Sequence, residues 1–193
     1  GSGTSKYSRA AVKAEWKSLL EAREKAKIPL IIGSCGTCGT NDMVDWMEDI
    51  TIELAKELDQ SLKIAKLYCE QDKNYIKNNF KNNKVSPLYP APYLDINLID
   101  NMNNIVALAG AEQIQECLKT GADIILAGRT TDTAIISALP LVKGADPGVS
   151  WHGATLAVSR ALCSSHPPSL ALSLSLALSL FLALALAVCA SLS

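Results

Sequence analysis

Apolar residues recur in two rhythms along most of this chain, short unbroken runs and longer stretches spaced by three or four. After Ser8, Val12, Trp16, Leu19 and Leu20 share one face at helical spacing, which predicts a helix over "RAAVKAEWKSLLEAREKAK". Pro29 closes that region, and "IPLII" (28–32) reads as a strand buried on both faces. Met43, Trp46, Met47, Ile50, Leu54 and Leu58 then predict a helix to about Leu58, and "LKIAKLY" (62–68) a second strand. A polar, weakly helical stretch runs to about Lys84. "SPLYPAPYLDINLIDNMNN" follows, and its prolines and turn-formers predict a long irregular connection. The rhythm resumes with "IVALAG" (105–110) as a strand, "AEQIQECLKTG" as a helix ended by Gly121, and "ADIILAG" (122–128) as a strand. "TDTAIISALPLVKG" predicts one more helix, interrupted at Pro140. Strands alternating with helices through short connections predict an α/β fold, with a mostly parallel sheet layered by helices. Strand order does not follow from the pattern.

The pattern then fails abruptly. No charged residue follows Arg160, and Leu occupies every even position from 170 to 186. The chain therefore divides into an α/β part over 1–165 and a low-complexity Leu/Ser/Ala tail over 166–193. As a helix the tail has no polar face, so it is expected as a hydrophobic C-terminal helix and a transmembrane candidate. Such dipeptide regularity equally resembles translated repetitive DNA or a misread gene boundary.

Composition narrows the functional classes. Across 193 residues, 18 basic and 19 acidic residues leave a net charge of −1, so nothing points to nucleic acid. Six cysteines with no secretory signal do not form the pattern of a disulfide scaffold and favour a reduced, cytoplasmic setting.

Two strand-to-helix junctions carry the candidate chemistry, because ligands of such sheets gather at the carboxyl ends of strands. At "GSCGTCGTND" (33–42), Gly33, Gly36 and Gly39 permit tight bends and close backbone approach. Ser34, Thr37 and Thr40 add hydroxyls, and the following helix N-terminus offers N–H groups to an anion. The competing reading is a tight turn capped by Thr40, Asn41 or Asp42. The glycine spacing matches neither a dinucleotide nor a Walker motif, so no cofactor is assigned. Cys35 and Cys38 stand in C-x-x-C spacing, which suits a redox pair, half a metal site, or two small residues in a turn. No second pair exists to complete a zinc site, and none is expected. At "AGRTTD" (127–132), Arg129 is placed to clamp a carboxylate or phosphate. Asp132 is a candidate acid–base group, or else a helix cap paired with Arg129. His152, in "WHGA" (151–154), is the other acid–base candidate.

"IPLIIGSCGTCGTNDMVDWMEDI", "YCEQDK", "GADIILAGRTTDTA" and "LVKGADPGVSWHGA" together resemble the N-terminal region of the acyclic terpene utilisation family. The resemblance spans about residues 1–165. It implies a fragment of a larger protein that lacks an upstream strand and an acidic glycine-rich loop. It also implies a role in breakdown of acyclic terpenes through acyl-CoA-linked steps. Relatives commonly carry Ala where Cys35 and Cys38 stand, which leaves the glycine backbone as the common element.

The leading expectation is thus a protein that acts on, or binds, a small carboxylate or acyl-CoA compound. Gly33, Ser34, Gly36, Gly39, Thr40 and Arg129 would hold the anion, with Asp132 and His152 for proton transfer. A non-catalytic ligand-binding subunit and a tail-anchored membrane protein are the alternatives. A membrane partner enters only through the tail, and self-association is left open.

Overall fold

The computed structural model describes residues 3–90 and 93–163. The chain runs α1 (Arg9–Ala26), β1 (Leu30–Ile32), α2 (Asn41–Glu57), β2 (Ile64–Leu67), α3 (Lys73–Lys81), α4 (Ile96–Asn101), α5 (Ala111–Lys119), β3 (Ile124–Ala127), α6 (Asp132–Val142) and α7 (Pro147–Cys163). The three strands form one sheet in the order β1-β3-β2, with every pairing parallel. Burial follows that order. All four residues of central β3 are buried, whereas β2 carries the exposed Lys66 at the sheet edge, a charge that discourages further pairing there.

Alternation along β3 sends its side chains to two different layers. Ile124 and Leu126 join Trp16, Leu19 and Leu20 of α1 and Val44, Met47, Ile50 and Leu54 of α2. Ile125 and Ala127 face Ala111 and Ile114 of α5 and Ala134 and Ala138 of α6. Helix α7 packs outside α6, where Ala154 meets Ile136 and Leu139. Local signals begin these helices as the sequence requires. The Ser8 hydroxyl accepts from Ala11 N–H, and the carboxylates of Asp72 and Asp95 cap α3 and α4 in the same way. One polar lock joins α1 to α2: Trp16 Nε1 donates to Thr51 Oγ1 at 2.8 Å, and Thr51 donates on to the Met47 carbonyl at 2.7 Å.

Several elements differ from the sequence expectation. "IVALAG" is not a strand: only Val106 and Ala109 form isolated bridges, to Glu70 and Thr130. The segment instead crosses the carboxyl edge of the sheet. Its peptide groups bond the loops after β2 and β3, with Ala107 N–H donating to the Cys69 carbonyl and Ala109 N–H to the Arg129 carbonyl. An apolar run this short has the same composition in either role. The connection expected to be irregular contains α4, which buries Ile99. Helix α6 continues through Pro140 to Val142, because a proline in the last turn disturbs few remaining bonds. Helix α7 adds an element that the apolar pattern does not predict. The tail over 166–193 lies outside the described residues, and no helix among the described residues is long and apolar enough to cross a membrane.

Candidate functional site

Because β1 and β3 are parallel neighbours, the loops that follow them leave the sheet at the same edge. They are bound to each other through the backbone. Cys35 N–H donates to the Ala127 carbonyl at 3.0 Å, and Thr130 N–H donates to the Gly33 carbonyl at 2.8 Å. The Thr130 hydroxyl reaches the same Gly33 carbonyl at 3.1 Å. The two sequence candidates Ser34 and Arg129 meet directly, with Arg129 Nη1 donating to Ser34 Oγ at 3.2 Å.

The glycines have an internal reason. Gly36 and Gly39 adopt φ of +60° and +74°, a region that disfavours side chains. A Cβ on Gly36 would lie 2.5 Å from Met43 Cγ, and one on Gly39 would fall on the Gly128 carbonyl. At Gly33 it would meet Thr130 Oγ1 at 2.5 Å. The chain's own atoms fill these spaces, so the glycines are required by the junction whether or not a ligand approaches.

The cysteines separate in character. Cys35 is buried in the α1–α2 core, and burial pushes its thiol far above the usual range. A thioredoxin-like site requires the opposite shift. Cys38 is half-buried, with Sγ 3.6 Å from Thr40 Oγ1, and both thiols are free. Cys35 therefore behaves as a small core residue.

At the N-terminus of α2, Thr40 is buried and makes no side-chain cap bond to the helix. Its hydroxyl donates to the Gly3 carbonyl at 3.5 Å. The anion at this helix end belongs to the protein: Asn41 N–H donates to Glu70 Oε2 at 3.1 Å, and Asn41 Oδ1 accepts from Glu70 N–H at 3.4 Å. With its amide oriented to satisfy both ends, Asn104 donates to Glu70 Oε1 at 2.9 Å. Glu70 and Asn104 escaped the sequence reading. The available signal was an acid directly after a strand, inside "YCEQDK". A polar cavity of about 320 Å³ opens here, lined by Asn41, Glu70, Gln71, Asp72, Lys73 and Asn104.

Arg129 is exposed, and the one hydrogen-bond partner of its guanidinium among the described residues is Ser34. Arg9 and Arg23 are both ion-paired with acids, to Glu53 and Asp123. Asp132 sits exposed in the first turn of α6, where Thr131 takes the cap position, and no ion pair joins it to Arg129. His152 is exposed on α7, which starts at the far end of α6 from Asp132, and no hydrogen bond links the two. The structure thus brings Gly33, Ser34 and Arg129 together but does not assemble Asp132 and His152 into one constellation. Residues 34–37 of the loop also line an apolar cavity of about 210 Å³ between α1 and α2.

The family model described as acyclic terpene utilisation family protein AtuA matches residues 2–143, and the chain belongs to that family. The matched residues include both junctions and exclude His152. No curated protein and no solved structure matches the chain.

Proposed function

We propose that this member of the acyclic terpene utilisation family binds a small carboxylate or an acyl-CoA compound, through its carboxylate or phosphate oxygens, at the carboxyl edge of β1 and β3. The observation that carries the reading is Arg129: an exposed guanidinium at that edge, held by one neutral hydroxyl and unpaired with any acid among the described residues. A guanidinium so placed keeps a fork of N–H donors for a carboxylate or phosphate oxygen pair. Ser34 supplies a further hydroxyl. Gly33, Gly36, Gly39 and Thr40 serve the anion by fixing the loop that carries Ser34, since their own spaces are filled.

Binding is better supported than turnover. Asp132, three residues beyond Arg129 and exposed, is the acid–base group we retain for catalysis, with His152 a more remote second. The non-catalytic alternative has the same binding geometry and differs only in whether Asp132 moves a proton.

The reading is tested by calorimetric titration of the full chain with citronellate and its coenzyme A thioester. Arg129→Lys keeps the charge but loses the fork, and is expected to weaken binding about tenfold. Unchanged affinity in that variant would overturn the assignment. A turnover assay on Asp132→Asn separates the two versions: lost turnover with intact binding supports the enzyme, and no turnover even in the parent supports the binding subunit.

A further inference from the structure

We infer that the apolar cavity between α1 and α2 is the seat of the ligand's hydrocarbon chain, so that one ligand lies across the 33–40 loop with its charged end at Arg129. The inference rests on the carboxylate reading above and adds a second, chemically distinct subsite. Val12 and Trp16 of α1, Trp46 and Met47 of α2, and Ile32 at the end of β1 form the cavity wall. Ser34 lines the same cavity and also accepts the hydrogen bond from Arg129. That shared residue makes the two subsites contiguous.

The dimensions suit a short hydrocarbon chain. A dry cavity of about 150 Å³ takes up benzene, so about 210 Å³ accommodates a hydrocarbon segment a few carbons longer. A flexible thioether adapts to an irregular chain better than a stiff aliphatic wall does, and Met47 supplies one beside the flat ring of Trp46. Polarity also fixes the direction of the ligand. Glu15 lines the cavity, and its carboxyl has no ion-pair or hydrogen-bond partner among the described residues. A charged head group turned inward would meet this like charge, whereas turned outward it meets the Arg129 guanidinium. Ligands with a negative charge at both ends are disfavoured on the same ground.

The measurement is a chain-length series of unbranched carboxylates from propionate to decanoate, titrated into the full chain and followed by tryptophan emission and calorimetry. Each methylene taken from water into an apolar site is worth about fourfold in affinity, so affinity is expected to climb by about that factor per carbon and then level off as the cavity fills. Val12→Phe occupies the cavity and is expected to flatten the series at a shorter chain while leaving propionate unchanged. Should Val12→Phe fail to fold, Val12→Ala is the second variant, expected to weaken octanoate several-fold and propionate not at all. Affinity independent of chain length would overturn the cavity assignment. If the chain-length slope is absent but Arg129→Lys still weakens every member, the carboxylate site stands and the hydrocarbon seat does not. If the slope survives in Arg129→Lys without loss of affinity, the cavity stands and the charged subsite lies elsewhere.

Discussion

The two faces of the sheet solve the same packing problem with different material. On one face α1 and α2 meet β3 through large side chains, with Trp16, Leu20, Met47, Ile50 and Leu54 all nearly or fully buried. On the other, α5 and α6 approach through Ala111, Ala134 and Ala138, with Ala127 beneath them and Ile114 and Ile125 as the bulkier members. Small residues let helix backbones come close and leave little to rearrange. Large irregular ones interlock but leave gaps where their shapes disagree, and the apolar cavity opens on that side. The difference teaches where a cavity can open without weakening the sheet. It forms on the face whose layer is built from shape rather than from close approach.

This contrast can be broken first by truncation. Ile50 is fully buried against β3, so Ile50→Ala should cost about 2–5 kcal/mol, read as a lowered denaturant midpoint. The reverse change sharpens the contrast. Ala138→Leu forces extra methylenes between α6 and the sheet and should cost about 1–3 kcal/mol, with a correspondingly lower Tm. Val12→Phe adds comparable bulk on the cavity face and should cost clearly less. If the two enlargements destabilise equally, the faces do not differ in spare volume. The smallest effect concerns Glu15, whose carboxyl is pushed up from its ordinary value by burial. A raised acid pKa means the folded state holds its proton more tightly than the unfolded chain. Stability is then favoured below the ordinary carboxylate value and is lost as pH rises from there through the raised value of the folded state. Glu15→Gln should raise the Tm by a degree or two at pH 7 and leave it unchanged well below pH 4, as followed by thermal melts. A Tm gain that persists in acid would point to packing instead of charge.

Much of this arrangement was legible beforehand, and the failures are specific. The three strands stood out because buried parallel strands must be continuously apolar, as in "IPLII" and "ADIILAG". "IVALAG" has the same look, but its partners are the loops after β2 and β3, which no local pattern reveals. Helix α7 was hidden because Pro147, Gly148 and Gly153 read as punctuation, although proline is well placed in the first turn of a helix. At the site, glycines and hydroxyls marked the junctions correctly as places of special backbone. Their reason was not readable, since the atoms that exclude a Cβ at Gly36 and Gly39 come from Met43 and Gly128. Glu70 went unnoticed because its role depends on Asn41 and Asn104, residues brought to it only by the fold.

The segment that crosses the sheet edge has a consequence for how freely its sequence can drift. Ala107 and Ala109 connect the loops after β2 and β3 through peptide N–H and carbonyl groups alone, and the Leu108 side chain between them is 59% exposed. A connection made of peptide groups is indifferent to most side-chain alphabets. Exchanges among ordinary L-residues at 107 and 108 are therefore cheap, while proline at 107 or 109 deletes a donor and cuts one of the ties. Variation here would be wide in letters and narrow in one respect only, the exclusion of proline. Two neighbouring loops at the carboxyl edge of the sheet would in this way stay in register through long divergence, with almost no trace of the constraint in which residues are kept.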